Sequence, residues 1–293
     1  MLADRTPVVI KHASYDDWVI QASGGRSVLH ELWEAGAFDR VPDVIEHAML
    51  AVEPVGDGFV VVMRDVSQHV LAEGRVISRD ESRRIIAAAD RLHQEFWCQD
   101  VPGLTLNQHY DVFSLGRVDE FLHLDTPIPA LVKRGWQLFV DLAPADVWSA
   151  LEALLHDPRP LADRLGSHDT TLIHGDLRLH NLGLSREKVV LLDWEIAGCA
   201  PAAVEFAWYL IISASRIDAT REQVIDDYRA IAGDRFDALA WDLACIGAMI
   251  WLGWNKAIDI VDNPDPAIRE AERADLDWWI GRTRAALEVW SPV

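Results

Sequence analysis

Three oxygen-bearing side chains stand out by type and spacing: Asp176, Asn181 five positions on, and Asp193 after an intervening apolar run. All three lie in LIHGDLRLHNLGLSREKVVLLDWE, residues 172–195. A loop carboxylate can take the proton of an acceptor hydroxyl. A neutral amide oxygen and an anionic carboxylate close by suit a hard divalent cation, which prefers oxygen ligands and keeps some of its waters. A proton acceptor beside such a cation is what phosphoryl transfer needs, because its loose transition state calls for positioning and charge neutralisation more than for covalent chemistry. The spacing of His174, Asp176 and His180 has no helical or hairpin register that would converge them on zinc.

Two short apolar runs, residues 171–173 and 189–192, read as buried strands that flank the loop and hold its polar residues. Upstream, residues 7–11 and 59–63 (FVVVM) read as strands, the second following the turn Gly56-Asp57-Gly58. Between them one helix is expected over residues 26–37, with Val28, Leu29, Leu32 and Trp33 on one stripe. Residues 80–97 form a long amphipathic helix opened by Asp80 and Glu81. The remainder is mainly helical, with candidates at 145–155, 203–214, 221–232, 237–260 and 266–290.

The string HGDLRLHN followed by LLDWE keeps the order that protein kinases use in H-R-D-x-x-x-x-N and D-F-G. With Gly175 in the middle position it resembles the aminoglycoside phosphotransferase and choline kinase-like family. That resemblance implies an α+β, bilobal protein kinase-like fold, with an abbreviated N-terminal β-lobe over residues 1–66 and a larger, mainly helical lobe over 67–293. It implies ATP and Mg²⁺ as cofactors, Asp176 as the base, Asn181 and Asp193 as metal ligands, and His174 as a residue that holds the loop by hydrogen bonds. Lys11 would contact the α/β-phosphates and Glu31 would pair with it. Met63, Arg64, Asp65 and Val66 would lie beside the adenine, mainly through backbone groups. Glu205 stands where the family has an aspartate and would tie down the catalytic loop.

The family pattern is not complete. Only ten residues precede Lys11, where such kinases usually carry two strands and a phosphate-covering loop, and Gly24 and Gly25 come too late to supply one. Three readings stay open: a start downstream of the true one, an active enzyme with a short lobe, or a catalytically silent nucleotide- or metabolite-binding relative. Phosphorylation of a polypeptide is disfavoured, since no activation segment with an APE motif follows Asp193.

Over 293 residues, half hydrophobic and a quarter charged, the chain has the composition of a soluble globular protein. Its net charge of −20 disfavours nucleic acid and anionic membranes as partners. The same charge would draw a cationic small molecule, or it serves as a solvated surface. The leading acceptor class is a small-molecule hydroxyl of aminoglycoside, amino alcohol or sugar type. Asp226, Asp227, Asp242, Asp259 and Asp262, with Trp241, Trp251 and Trp254, are the residues available to such an acceptor. Cys98, Cys199 and Cys245 lack a CxxC pair and are expected as buried thiols. The N-terminus lacks a secretory pattern and the apolar run 243–254 is short for a membrane span, so a cytoplasmic protein is expected.

Overall fold

The computed structural model describes residues 7–72, 74–102 and 104–290, without the side chains of Asn107 and Gln108. The chain opens with β1 (Val8–Ser14), α1 (Trp18–Ala22), α2 (Val28–Glu34), β2 (Ile45–Glu46), β3 (Met49–Val55) and β4 (Gly58–Arg64). β1 and β3 both pair antiparallel with β4, giving a sheet of order β1-β4-β3. Gly56 closes the β3–β4 hairpin at φ 62°, and a side chain at Gly58 would collide with the Ala13 carbonyl, so glycine lets β1 approach. β1 is an edge strand among the described residues.

More than one helix separates β1 from β4, contrary to the sequence expectation. β3 escapes a pattern search because Glu53 and Pro54 interrupt its apolar run. α2 is shorter than anticipated because Gly36, at φ 66°, turns the chain after Glu34. Its start is fixed by Ser27, whose hydroxyl accepts from the His30 N–H, and Val28, Leu29 and Leu32 are buried under the sheet region's core.

The chain continues through β5 (Ile77–Ser78), α3 (Arg79–Glu95), α4 (Leu106–Asp111), α5 (Ile128–Leu142), α6 (Ala145–His156) and α7 (Arg159–Gly166). Four short strands follow: β6 (Thr171–Ile173), β7 (Leu182–Leu184), β8 (Val189–Leu191) and β9 (Gly198–Ala200). α8 (Ala202–Ser213), β10 (Ile217–Asp218), α9 (Arg221–Ala232), α10 (Ala238–Asp262) and α11 (Pro266–Val289) complete it. Local chemistry sets several of these boundaries. Ser78 and Glu81 form a reciprocal capping box at the start of α3, and Thr220 and Gln223 do the same for α9.

α10 is the axis of the helical region, packed against α5, α8 and α11. It is long and apolar enough by composition to cross a membrane, and 78% of its apolar window is buried inside the protein. At Gly135 a side chain would strike the backbone of Trp254, so glycine sets the close approach of α5 to α10. Lys256 bridges α10 to α11, with its ammonium 2.7 Å from both Glu272 and Asp275. The cysteine expectation is corrected: Cys245 is buried, Cys199 partly so, and Cys98 exposed. Cys98 adopts φ 53° just past α3, where its N–H is tied to the Thr170 carbonyl.

Candidate active site

Two small sheets deliver the polar residues of the 172–195 segment to one place. β7 and β8 form a hairpin in which Leu182 pairs with Leu191, and the Leu192 N–H donates to the Asn181 carbonyl at 2.9 Å. Asn181 and Asp193 therefore emerge side by side from its open end. β6 pairs with β9, Ile173 opposite Gly198, and carries the chain into His174 and Asp176. Gly175 sits at φ 82°, and a side chain there would meet the Ile196 carbonyl. That contact gives a physical reason for glycine at the middle of the motif.

The loop is held from beneath by buried groups. His174 is fully buried; its Nε2 donates to the Leu192 carbonyl at 2.9 Å and its Nδ1 accepts the Asp176 N–H at 3.2 Å. Glu205 accepts the Gly175 N–H at 2.8 Å and meets His93 Nε2 at 2.8 Å. Burial opposes ionisation of Glu205, yet the His93 bond and field hold its pKa below the usual carboxylate range. His109 packs edge-on against Trp251 and its Nδ1 donates to the Ile196 carbonyl at 2.9 Å. Burial keeps it neutral, with its pKa pushed down to about 3.

Asp176 is 1% exposed. Oδ2 accepts from Asn181 Nδ2 at 2.7 Å and lies 3.1 Å from Arg178 Nε, while Oδ1 is buried with no hydrogen-bond partner. Burial raises its pKa to about 7 against the pull of Arg178, and the Asp193 charge adds to the rise. The Trp208 indole N–H is turned toward this carboxylate and, with Asn181, works against the rise.

Asp193 stands at φ 63°, a left-handed conformation that is strained for a residue with a side chain. Its Oδ1 lies 3.3 Å from Lys11 Nζ. Burial works to lower the Lys11 pKa, but Asp193 and Glu195 outweigh it and raise it. Glu195 accepts from the Ser27 hydroxyl at 3.0 and 3.2 Å, and burial pushes its pKa up to about 7 even with Lys11 nearby. The expected Lys11–Glu31 pair does not form. Glu31 is held by Arg26, five residues earlier, in a two-point contact with both distances 2.6 Å, so a local partner has taken it.

Two cavities flank this centre. One, of about 260 Å³, has Lys11, Asn181 and Asp193 at one end and Met63, Arg64, Asp65 and Val66 along its wall. The other, of about 240 Å³, contains Asp176 and Trp208. An open cleft of about 980 Å³, lined in part by Lys11, Asp193, Glu195 and Arg178, joins them. The structure thus gathers Lys11, Met63, Arg64, Asp65, Val66, Asn181 and Asp193 in one cavity and sets Asp176 in its neighbour. Glu31 belongs to neither.

The residues present fit a hard cation. Asn181 commits its Nδ2 to Asp176, which leaves its amide oxygen, beside the Asp193 carboxylate, as a pair of oxygen donors.

The carboxylates expected around an acceptor are elsewhere. Asp227 pairs with Arg79 and Arg83, Asp242 with Arg282, Asp262 with Arg134, and Asp226 with Arg229, while Asp259 is half-buried near Lys256 and Glu272 and lies outside the lining of the Asp176 cavity. Trp241 and Trp251 belong to the core, while Trp254 reaches the cavity of Asp176. Sequence reading passed over Arg178, Glu195 and Trp208 as site residues. The first two lie inside the 172–195 segment and could have been weighed there; no spacing signal pointed to Trp208.

Comparison with known proteins gives a family match. The model of the family described as phosphotransferase enzyme family matches residues 3–242. No curated protein matches the chain in sequence. Among solved structures, a choline kinase of Streptococcus pneumoniae is 12% identical with a TM-score of 0.51, over 94% of this chain and 86% of that one. An aminoglycoside phosphotransferase of Streptomyces rimosus, in complex with ADP and streptomycin, is 17% identical with a TM-score of 0.50, over 85% and 88%. A microcompartment-associated aminopropanol kinase is 14% identical with a TM-score of 0.51, over 97% and 87%. At these identities the likeness is one of fold.

Proposed function

The chain belongs to the phosphotransferase enzyme family, and from that membership we propose that it is an ATP- and Mg²⁺-dependent kinase transferring the γ-phosphate to a hydroxyl of a small molecule. The observation that carries this reading is Asp176: a buried carboxylate with one oxygen unpaired, a pKa near 7, and a cavity in front of it. A general base works best when its pKa lies near the working pH, and burial supplies that shift here. The fold-sharing kinases named for choline and aminopropanol, and the one bound to ADP and streptomycin, support a nucleotide donor and a small hydroxyl acceptor.

In this reading the nucleotide occupies the cavity that runs from Met63–Val66 to Lys11, with the base against the first and the phosphates toward the second. The division of labour follows the chain: residues 1–66 contribute most of the nucleotide side, and residues 67–293 the acceptor and the chemistry. Asn181 and Asp193 would hold Mg²⁺, which would supply positive charge to offset that of the phosphates. Lys11 leaves Asp193 and turns to the α/β-phosphates. The acceptor hydroxyl donates to Asp176 Oδ1; its proton passes to that carboxylate as its oxygen bonds to the γ-phosphorus and the bond to the β-phosphate oxygen breaks, releasing ADP. Arg178 keeps Oδ2 engaged, so the free oxygen is the one that meets the acceptor. The reaction belongs in the cytoplasm, where ATP is supplied.

The test is incubation with ATP, Mg²⁺ and a panel of small alcohols, followed by phosphorus NMR. A new phosphate monoester appearing with ADP, and lost in Asp176→Asn, is the expected result. Tight nucleotide binding with no ester from any panel member would instead identify a silent nucleotide-binding relative.

A further inference from the structure

Resting on the kinase reading above, we propose that the acceptor is a compact, uncharged alcohol with an apolar body, and that amine-bearing acceptors are selected against. The cavity around Asp176 holds about 240 Å³, roughly eight water volumes, which suits a molecule of one ring rather than several. Its wall is apolar: Trp18, Phe113, Trp254 and Leu252 form much of it, with Ile128 and Ile212. Among the described residues, only Asp176, Arg178 and Asn255 bring polar side chains to it, together with the Trp208 indole N–H.

Two polar groups define the head of the ligand. Asp176 Oδ1 has no close hydrogen bond, and the Trp208 indole N–H is turned toward the same carboxylate. A hydroxyl can donate to that oxygen while accepting from the indole N–H through its lone pairs. The body of the ligand then lies on aromatic and aliphatic walls.

A cation on that body finds no counter-charge. Among the described residues, Asp176 is the only acidic side chain lining the cavity, and the Arg178 guanidinium already sits against it. The acidic side chains Asp226, Asp227, Asp242 and Asp262 are ion-paired with arginines outside this cavity. Asp16, Asp17, Asp125, Asp193 and Glu195 line the adjoining open cleft, where water and salt weaken the field of the first three and Lys11 already faces the last two. Burying an ammonium without a partner costs more than its contact with an aromatic face returns.

The test uses the intact protein and two probes of one skeleton, phenylpropanol and its amine-bearing analogue phenylalaninol, with streptomycin as a polycation. Calorimetry should give phenylpropanol an affinity at least about tenfold above phenylalaninol. Asn255→Asp, which adds a carboxylate with little change of shape, should narrow or reverse that ratio. Equal or tighter binding of phenylalaninol, binding of streptomycin alone, or no binding of phenylpropanol would overturn the inference. ADP release with an amine acceptor while phenylpropanol fails to bind leaves the kinase reading standing without this one. Phenylpropanol bound in preference, with no ADP release from any alcohol, does the reverse.

Discussion

Lys11 Nζ lies 3.3 Å from Asp193 Oδ1, a partner 182 residues away, while Glu31 on the neighbouring helix is held by Arg26. The lysine of the nucleotide cavity is thus oriented by the carboxylates at the end of β8, Asp193 and Glu195, and not by α2. In this arrangement Ser27, the cap of α2, links that helix to Glu195.

Nucleotide binding should follow this wiring. Lys11→Ala is expected to weaken Mg²⁺-ATP binding by roughly tenfold or more, the value of a charge-assisted contact. Glu195→Gln should weaken it in the same direction, whereas Glu31→Gln should leave it unchanged, because its carboxylate faces Arg26. Calorimetry on the three variants separates the two wirings; a loss in Glu31→Gln as large as that in Lys11→Ala would restore the helix pairing.

Stability should fall as pH rises through the window set by two buried carboxyls. Asp176 moves from 3.8 to about 7 and Glu195 from 4.5 to about 7 on folding, so the native state holds more protons than the unfolded chain between those values. The penalty is absent below the unfolded values and complete above about pH 7. Asp176→Asn, which removes one of these charges, should melt higher than wild type at pH 8 and at the same temperature near pH 3, measured by thermal unfolding.

Glu205 should be structural in a specific way. It is 1% exposed and satisfies both the Gly175 N–H and His93. Truncation in Glu205→Ala leaves those groups buried and unpaired, at a cost of about 3–5 kcal/mol by denaturant titration. Because its pKa is lowered by folding, the stabilisation it gives is present above its unfolded value and is lost as pH falls through the folded one.

Helical glycines should divide by their surroundings. Gly281→Ala, on an exposed position of α11 with nothing near the added carbon, is expected to stabilise by about 1 kcal/mol. Gly135→Ala would force α5 away from α10 and should destabilise. Thermal melts of the pair measure how closely the two helices pack.

Residues 172–195 were legible because their polar groups are set by short-range strand and turn geometry; the open end of the β7–β8 hairpin brings Asn181 and Asp193 together as their spacing implied. The family resemblance read from HGDLRLHN is borne out by the family match. Helices with strong caps, such as α9 at Thr220, were found to the residue. α5 was missed although Val132, Trp136 and Phe139 share a buried face, because Pro127 and Pro129 read as loop punctuation and not as a helix start. Pairings across the chain were beyond reach: the choice between Asp193 and Glu31 for Lys11 depends on Arg26 competing locally. The acidic residues of the last helices looked like a cation site only because their arginine partners are distant in sequence.

The measurement that bears most directly on the central claim is ADP release from Mg²⁺-ATP in the presence of an alcohol that the wild type phosphorylates, wild type beside Asp176→Asn. The account predicts turnover in the wild type that rises with pH through about 7 and falls by roughly 10²–10⁴-fold in the variant, with nucleotide binding retained. Equal turnover in the two proteins would contradict it.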